Sequence, residues 1–216
     1  MTTPSVHGKP RHPYYIFAPD YRETSSGVCV LHYLCHVLNL SGYEAYLTPC
    51  QVNPKLRTPI LTEELRRHHR SIGLTPIAVY PEVMDGNPIG APIVARYILN
   101  REGFLTGRAI DAQKSDLLFY YTQDFRGNSE SSNLLLLPVI DSELFSPPTE
   151  PVQRSGNYLY LHRFDKSKVD YSILPDDIEV LSMANPKTLA ELAQIFRTAS
   201  TLYSYEISAT CTEAML

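Results

Sequence analysis

The chain has 216 residues, 44% apolar and 19% charged, the make-up of a globular protein with a real core and not of a disordered or fibrous chain. Its 19 Lys and Arg stand against 23 Asp and Glu, a net charge of -4, which leaves no basic excess for a nucleic-acid backbone. Length allows one large domain, or one and a fraction.

Residues 1–13 are polar and rich in Pro and His and read as a flexible arm. Tyr14 to Ala18 is β-prone, and a polar loop follows. Val28, Leu31, Leu34, Cys35 and Leu38 then recur at helical spacing up to Leu40. Gly42 closes that helix, and Glu44 to Leu47 resumes as a strand. Thr62 stands as N-cap of the next helix, with Glu63 and Glu64 in its first turn, Arg66 to Arg70 toward its end and Gly73 as its stop. Thr75 to Tyr80 is the next strand. Pro92 then occupies a first helical position, and Val94, Tyr97, Ile98 and Arg101 share one face before Gly103, which predicts a third helix. Leu117 to Tyr121 and Leu134 to Val139 read as buried strands.

Ser146 to Pro151, with three prolines in six residues, is the clearest linker. After it the alternation restarts: strands at Tyr158–Leu161 and Ile178–Leu181, a helix at Thr188–Ala199, a strand at Leu202–Tyr205, and Ser208 placed to N-cap a further helix. The expected fold class is α/β, with 14–145 a complete Rossmann-like, doubly wound parallel-sheet domain and 152–216 an incomplete second one. The last run, Ala214-Met215-Leu216, carries no cap, so the second domain reads as truncated.

No window reaches the ~18–20 apolar residues of a membrane span, and the first residues lack the apolar core of a signal peptide, so a cytoplasmic protein is expected. Cys29, Cys35, Cys50 and Cys211 form no C-x-x-C pair and are expected as reduced thiols. Residues 1–110 hold 11 basic and 8 acidic side chains (+3), and residues 111–216 hold 8 and 15 (-7), a weak asymmetry.

Five segments carry a resemblance to a known family. SSGVCVLHYLCHVLNLSGYEAYL (25–47) is similar to a glycine loop before a helix ending in G-H-E-V; Gly27, Gly42 and Glu44 match, and Tyr43 replaces His. LLLLPVIDSELF (134–145) resembles V-I-P-N-G-V-D-x-x-x-F without its Asn and Gly. In YLYLHRFDKSKVD (158–170), Arg163 and Lys168 keep the offset of V-G-R-x-x-x-x-K-G, with His162 in place of Gly. TLAELAQIFRTASTLYSYEISATCTEAML (188–216) resembles an E-x7-E region: Glu213 matches its second Glu, whereas Glu206 lies one residue too close and Tyr205 holds the expected first position. YPEVMDGNPIGAPIVARYILN (80–100) is like a block of bacterial polysaccharide and lipopolysaccharide enzymes. Together they resemble the GT-B fold glycosyltransferases; neither G-x-G-x-x-G nor G-x-x-x-x-G-K-[ST] is present.

The resemblance implies a nucleotide sugar as substrate, a glycan or lipid-linked acceptor, peripheral association with the inner membrane, and a partner chain completing the second domain. It needs no cofactor. Arg163 and Lys168, just after a strand, would neutralise a diphosphate leaving group, or else form a solvated loop beside Asp165 and Asp170. The helix opened by Ser208 offers unpaired N–H groups to donor phosphates. Glu213 would meet the nucleotide ribose, with a helix-surface carboxylate as the plain alternative. Glu206 would contact the transferred sugar or steady an oxocarbenium-like transition state. On the acceptor side, Gly27 lets the backbone approach a ligand or simply makes a tight turn. Glu82 and Asn87 are candidates for acceptor contacts, Glu82 also for catalysis, against a capping role for both.

Other constellations are weaker. His32 and His36 share a helix face without a third ligand, which favours packing or a hydrogen bond. Arg66 to Arg70 is a solvated helix end that can face anionic headgroups. Asp176 and Asp177 are adjacent and not spaced as D-x-D, so no metal is expected. Two further readings stay open: a non-catalytic binding module on the same scaffold, and sugar-nucleotide epimerisation.

Overall fold

The computed structural model describes residues 12–127, 129–130, 133–162, 164–206 and 208–215. The chain divides between Val139 and Ile140 into two units.

The first unit is built on a five-stranded, wholly parallel sheet in the order β2-β1-β3-β4-β5. The strands are β1 (Tyr14–Ile16), β2 (Ala45–Leu47), β3 (Ile77–Pro81), β4 (Ile93–Ile98) and β5 (Leu117–Tyr120). Helix α1 (Ser26–Leu40) follows β1 and α2 (Glu63–Ser71) follows β2. Alternation along the strands separates two faces. One carries Ile16, Ala45, Leu47, Val79, Ala95 and Tyr97, covered by Val30, Leu31, Leu34 and Cys35 of α1. The other carries Tyr15, Ala78, Tyr80 and Val94, with Leu65 of α2 packed against it. Both helices end on a glycine in the left-handed region, Gly42 at φ 84° and Gly73 at φ 72°, where a Cβ would be strained. The Thr62 hydroxyl accepts the Leu65 N–H at 3.2 Å, as an N-cap should.

The helix expected from Pro92 to Gly103 is instead β4. Val94 to Ile98 are all buried, so a central strand clothed on both faces shows no alternation and mimics helical spacing. Its β-branched and aromatic residues suit the pleat. The loop after β3 then adds to the cover of the second face, with Met84, Ile89 and Ala91 turned inward beside Leu65 of α2.

Arg96, 1% exposed, fixes that loop. Its Nε donates to Asp116 at 2.9 Å, and its terminal nitrogens donate to the carbonyls of Met84 at 2.7 Å and Gly86 at 2.6 Å. The guanidinium lies 5.2 Å from the centre of the Tyr80 ring.

The segment Leu134–Val139 is an extended edge and not a buried strand. Tyr120 N–H donates to Asn133 and Leu135 N–H to Tyr120, one parallel bridge. Leu135, Leu137 and Val139 turn inward, while Leu134 and Leu136 are exposed. At the opposite edge, Asn39 stands in for a strand: its Nδ2 donates to Ala45 O at 2.8 Å and Cys35 O at 2.9 Å, and its Oδ1 accepts Ala45 N–H at 3.4 Å.

The second unit holds a three-stranded parallel sheet, β7-β6-β8, of β6 (Asn157–Leu161), β7 (Glu179–Ser182) and β8 (Thr201–Ser204). Helix α3 (Leu189–Thr198) opens on a capping box between Thr188 and Glu191, and α4 (Ala209–Glu213) follows β8. Phe145, Leu181, Ala193 and Phe196 form its core. Arg197 on α3 donates to Leu144 O at 2.6 Å and Ser146 O at 3.2 Å, which binds residues 144–146 into this unit.

Candidate functional site

Open parallel sheets collect ligands at the carboxyl ends of their strands, where the strand order reverses. In the first unit the chain runs from β1 outward to β2, then crosses back to β3, so the reversal lies between β1 and β3. In the second it runs from β6 to β7 and crosses back to β8, so the reversal lies between β6 and β8.

At the first reversal, α1 starts without a side-chain cap from Ser25 and without an acidic residue in its first turn. Gly27 lies in that turn. A Cβ there would sit 3.7 Å from Leu99 Cδ1, an ordinary contact, so packing within the chain does not itself require glycine here. Glu82 directly follows β3, and its Oε2 accepts Leu99 N–H at 2.9 Å, tying the ends of β3 and β4. Gly27 and Glu82 therefore meet the same residue, Leu99.

Asn87 is committed to its own loop. Its Oδ1 accepts from Tyr80 OH at 2.9 Å and Gly90 N–H at 3.1 Å, and its Nδ2 donates to Ala91 O at 2.9 Å. These bonds hold the turn from Asn87 to Ala91 against the end of β3.

The loops after β1 and β2 are stitched together beside this reversal. Tyr21 N–H donates to Gln51 O at 2.9 Å, and Gln51 N–H to Asp20 Oδ1 at 2.8 Å. They enclose a groove of about 230 Å³ lined by Tyr21, Glu23, Gln51, Val52, Asn53 and Lys55, among others. His32 supports it from below: fully buried, it donates from Nε2 to Pro19 O at 2.9 Å and meets the Tyr21 ring edge-on at 5.2 Å. Burial pushes the His32 pKa below its ordinary value. His36 takes a different partner, accepting Arg57 N–H on Nδ1 at 2.8 Å. Among the described residues no group of three His, Cys, Asp or Glu could hold a metal ion.

At the second reversal the Glu206 carboxylate accepts the N–H of His162, the first residue after β6. Tyr160 OH lies 3.3 Å from His162 Nδ1. Burial raises the Tyr160 pKa, and the nearby Glu206 and Glu213 carboxylates add to it. Burial also pushes the Glu213 carboxyl above its ordinary value. Phe164 stacks on Tyr205 with ring centres 5.0 Å apart.

Ser208 is the N-cap residue of α4, but its hydroxyl accepts no helix N–H and lies 3.5 Å from Cys211 Sγ. Helix α4 has only five residues, too few aligned peptides for the strong anion site expected of it. Lys168 ends an exposed 3-10 turn, Lys166–Lys168, capped by Asp165. Arg163 lies outside the described residues. Asp177 accepts from Asn157 Nδ2 at 3.1 Å.

The second reversal thus brings Glu206, Glu213 and Tyr160 together, with Ser208 opening the helix between the two carboxylates. No protein-family model matches the chain, and no curated protein matches it. No helix among the described residues is long and apolar enough to cross a membrane. Sequence reasoning missed Tyr160, His162 and the groove at Tyr21. Their advance signal was weak: Tyr160 lies within β6, His162 directly follows it, and Tyr21 stands in the loop after β1.

Proposed function

We propose that the chain is a sugar-transfer protein of GT-B type, moving a sugar from a nucleotide-sugar donor to a cell-surface glycan or lipid-linked acceptor without a metal ion. One observation carries the reading. Two successive units each hold an open parallel sheet, the same local strand order recurs (β2-β1-β3 and β7-β6-β8), and candidate carboxylates stand past the strand ends, Glu82 in the first unit and Glu206 with Glu213 in the second. The acceptor hydroxyl attacks the anomeric carbon as the bond to the diphosphate breaks, and its proton passes to water or to the departing diphosphate. Arg163 and Lys168 offset the charge released on the diphosphate, and Glu206 and Glu213 face the sugar and ribose. The protein works on the cytoplasmic side of the membrane, where exposed Arg67, His68 and Arg70 on α2 suit anionic headgroups.

The test is titration of the full chain with UDP, GDP and their sugar conjugates, followed by nucleotide release with and without added glycan. Binding that weakens in Lys168→Glu and Arg163→Glu supports the reading; no nucleotide binding by the intact protein ends it. Nucleotide release without acceptor points to hydrolysis instead, and conversion of the donor sugar without nucleotide release points to epimerisation.

A second reading, a binding module without catalysis, is favoured by Glu206. Its carboxylate already holds the His162 N–H at the strand end, where a donor phosphate would need that hydrogen bond. Nucleotide binding that emerges only in Glu206→Gln supports this second reading.

A further inference from the structure

The groove beside the first reversal has a lining unlike an anion site. It holds one carboxylate, Glu23, and one ammonium, Lys55, so its local charge cancels. The rest is an aromatic ring (Tyr21), two carboxamides (Gln51, Asn53) and a small apolar wall that includes Val52. At about 230 Å³ it is smaller than the ~300–1,000 Å³ of pockets for drug-sized ligands and has the scale of one sugar ring.

The parts are set in place before any ligand arrives. The Tyr21 ring is braced edge-on by the buried His32. Asn53 Oδ1 accepts Lys55 N–H at 2.9 Å, which fixes the side chain of one groove amide. The backbone of Tyr21 is locked to Gln51. Such preorganisation spares the ordering cost of binding.

We infer that this groove is a carbohydrate subsite that takes one neutral pyranose ring. The ring lays its C–H face on Tyr21 and offers hydroxyls to Gln51, Asn53, Glu23 and Lys55. An amide both donates and accepts, a carboxylate accepts and an ammonium donates, which together match the mixed character of sugar hydroxyls. A phosphate would meet the Glu23 carboxylate. The inference rests on the sugar-transfer reading for the class of ligand; the position and lining of the groove are independent of it.

The full chain is titrated by NMR with D-glucose, D-galactose, D-mannose and N-acetylglucosamine, and in parallel with UDP and inorganic phosphate. At least one sugar is expected to bind in the millimolar range. Tyr21→Ala and Gln51→Ala should each weaken it about tenfold, the effect of one lost contact. Tyr43→Ala alters a second groove, of about 650 Å³, at the start of β2, and should leave binding unchanged within about twofold. Circular dichroism checks that each variant is folded. Gln51 is exposed, so Gln51→Ala serves even where Tyr21→Ala unfolds.

Absence of sugar binding overturns the inference, as does sugar binding indifferent to Gln51→Ala, or phosphate binding lost in Lys55→Ala. Nucleotide-sugar turnover without sugar binding at the groove overturns this inference alone. Sugar binding without nucleotide recognition upholds it and ends the transferase reading.

Discussion

Substitution of Asp116 by alanine tests the packing of the first unit most directly. The Arg96 and Asp116 side chains are 1% and 4% exposed, and Nε donates to the carboxylate at 2.9 Å. Arginine does not lose its proton in a protein, so Asp116→Ala leaves a full charge buried. What remains beside it is neutral: the Met84 and Gly86 carbonyls and the face of Tyr80. Removing one partner of a buried pair costs about 3–5 kcal/mol, and Coulomb's law at an effective dielectric near 20 gives ~4 kcal/mol for charges ~4 Å apart. Against a total stability of ~5–15 kcal/mol this is a large share. For a unit of this size it lowers Tm by roughly 10–20 °C. The chain has no Trp and 15 Tyr, so urea unfolding followed by tyrosine fluorescence and far-ultraviolet circular dichroism reads the change. Arg96→Met joined to Asp116→Leu removes both charges and should restore part of the loss. A loss below about 1 kcal/mol for Asp116→Ala would refute the argument, because it would mean that water reaches the pair.

Three further outcomes follow from the same structure. Asn39→Ala uncovers the Ala45 peptide at the β2 edge and should cost about 1–3 kcal/mol in urea; a change within about 0.5 kcal/mol would show that water replaces the amide freely. Thr188→Ala dissolves the capping box of α3 and should destabilise the second unit by about 1 kcal/mol, measured in the same way. Glu213 has a folded-state pKa above its ordinary value, so its contribution to stability is intact in acid and falls as pH rises through that raised pKa. Glu213→Gln should therefore raise Tm at about pH 7.5 and leave it unchanged at about pH 4; a larger gain in acid would reverse the sign and sink the assignment.

Much of the fold is legible locally. Thr62, Thr188, Gly42 and Gly73 mark helix ends by chemistry that acts within one turn, and the structure places them at those ends. The strand β4 is not legible that way. Its run IVARYI is buried on both sides, and burial is decided by β3 and β5, which pair with it from distant positions in the chain. Arg96 carried a signal, a lone charge inside an apolar run, but its partner lies twenty residues on, and only the fold brings them together. At the site, Glu82 and Glu206 were visible as carboxylates just past strand ends. That each would hold a backbone N–H of a neighbouring strand end depends on register, which no spacing along one strand encodes. Asn87 shows in the sequence only as a turn residue beside Gly86 and Pro88, and the Tyr80 hydroxyl that donates to it belongs to a buried strand residue seven positions earlier.

The shared strand order also bears on how the protein is made. In each unit the first strand to leave the ribosome, β1 or β6, becomes an inner strand of its sheet. β2 and β7 then add on one side and β3 and β8 on the other, and β4 and β5 extend the first sheet outward. No later strand has to wedge between two that are already paired. Each sheet can grow during synthesis by docking at an open edge, with no bonded ladder undone, and each unit can close before the next begins.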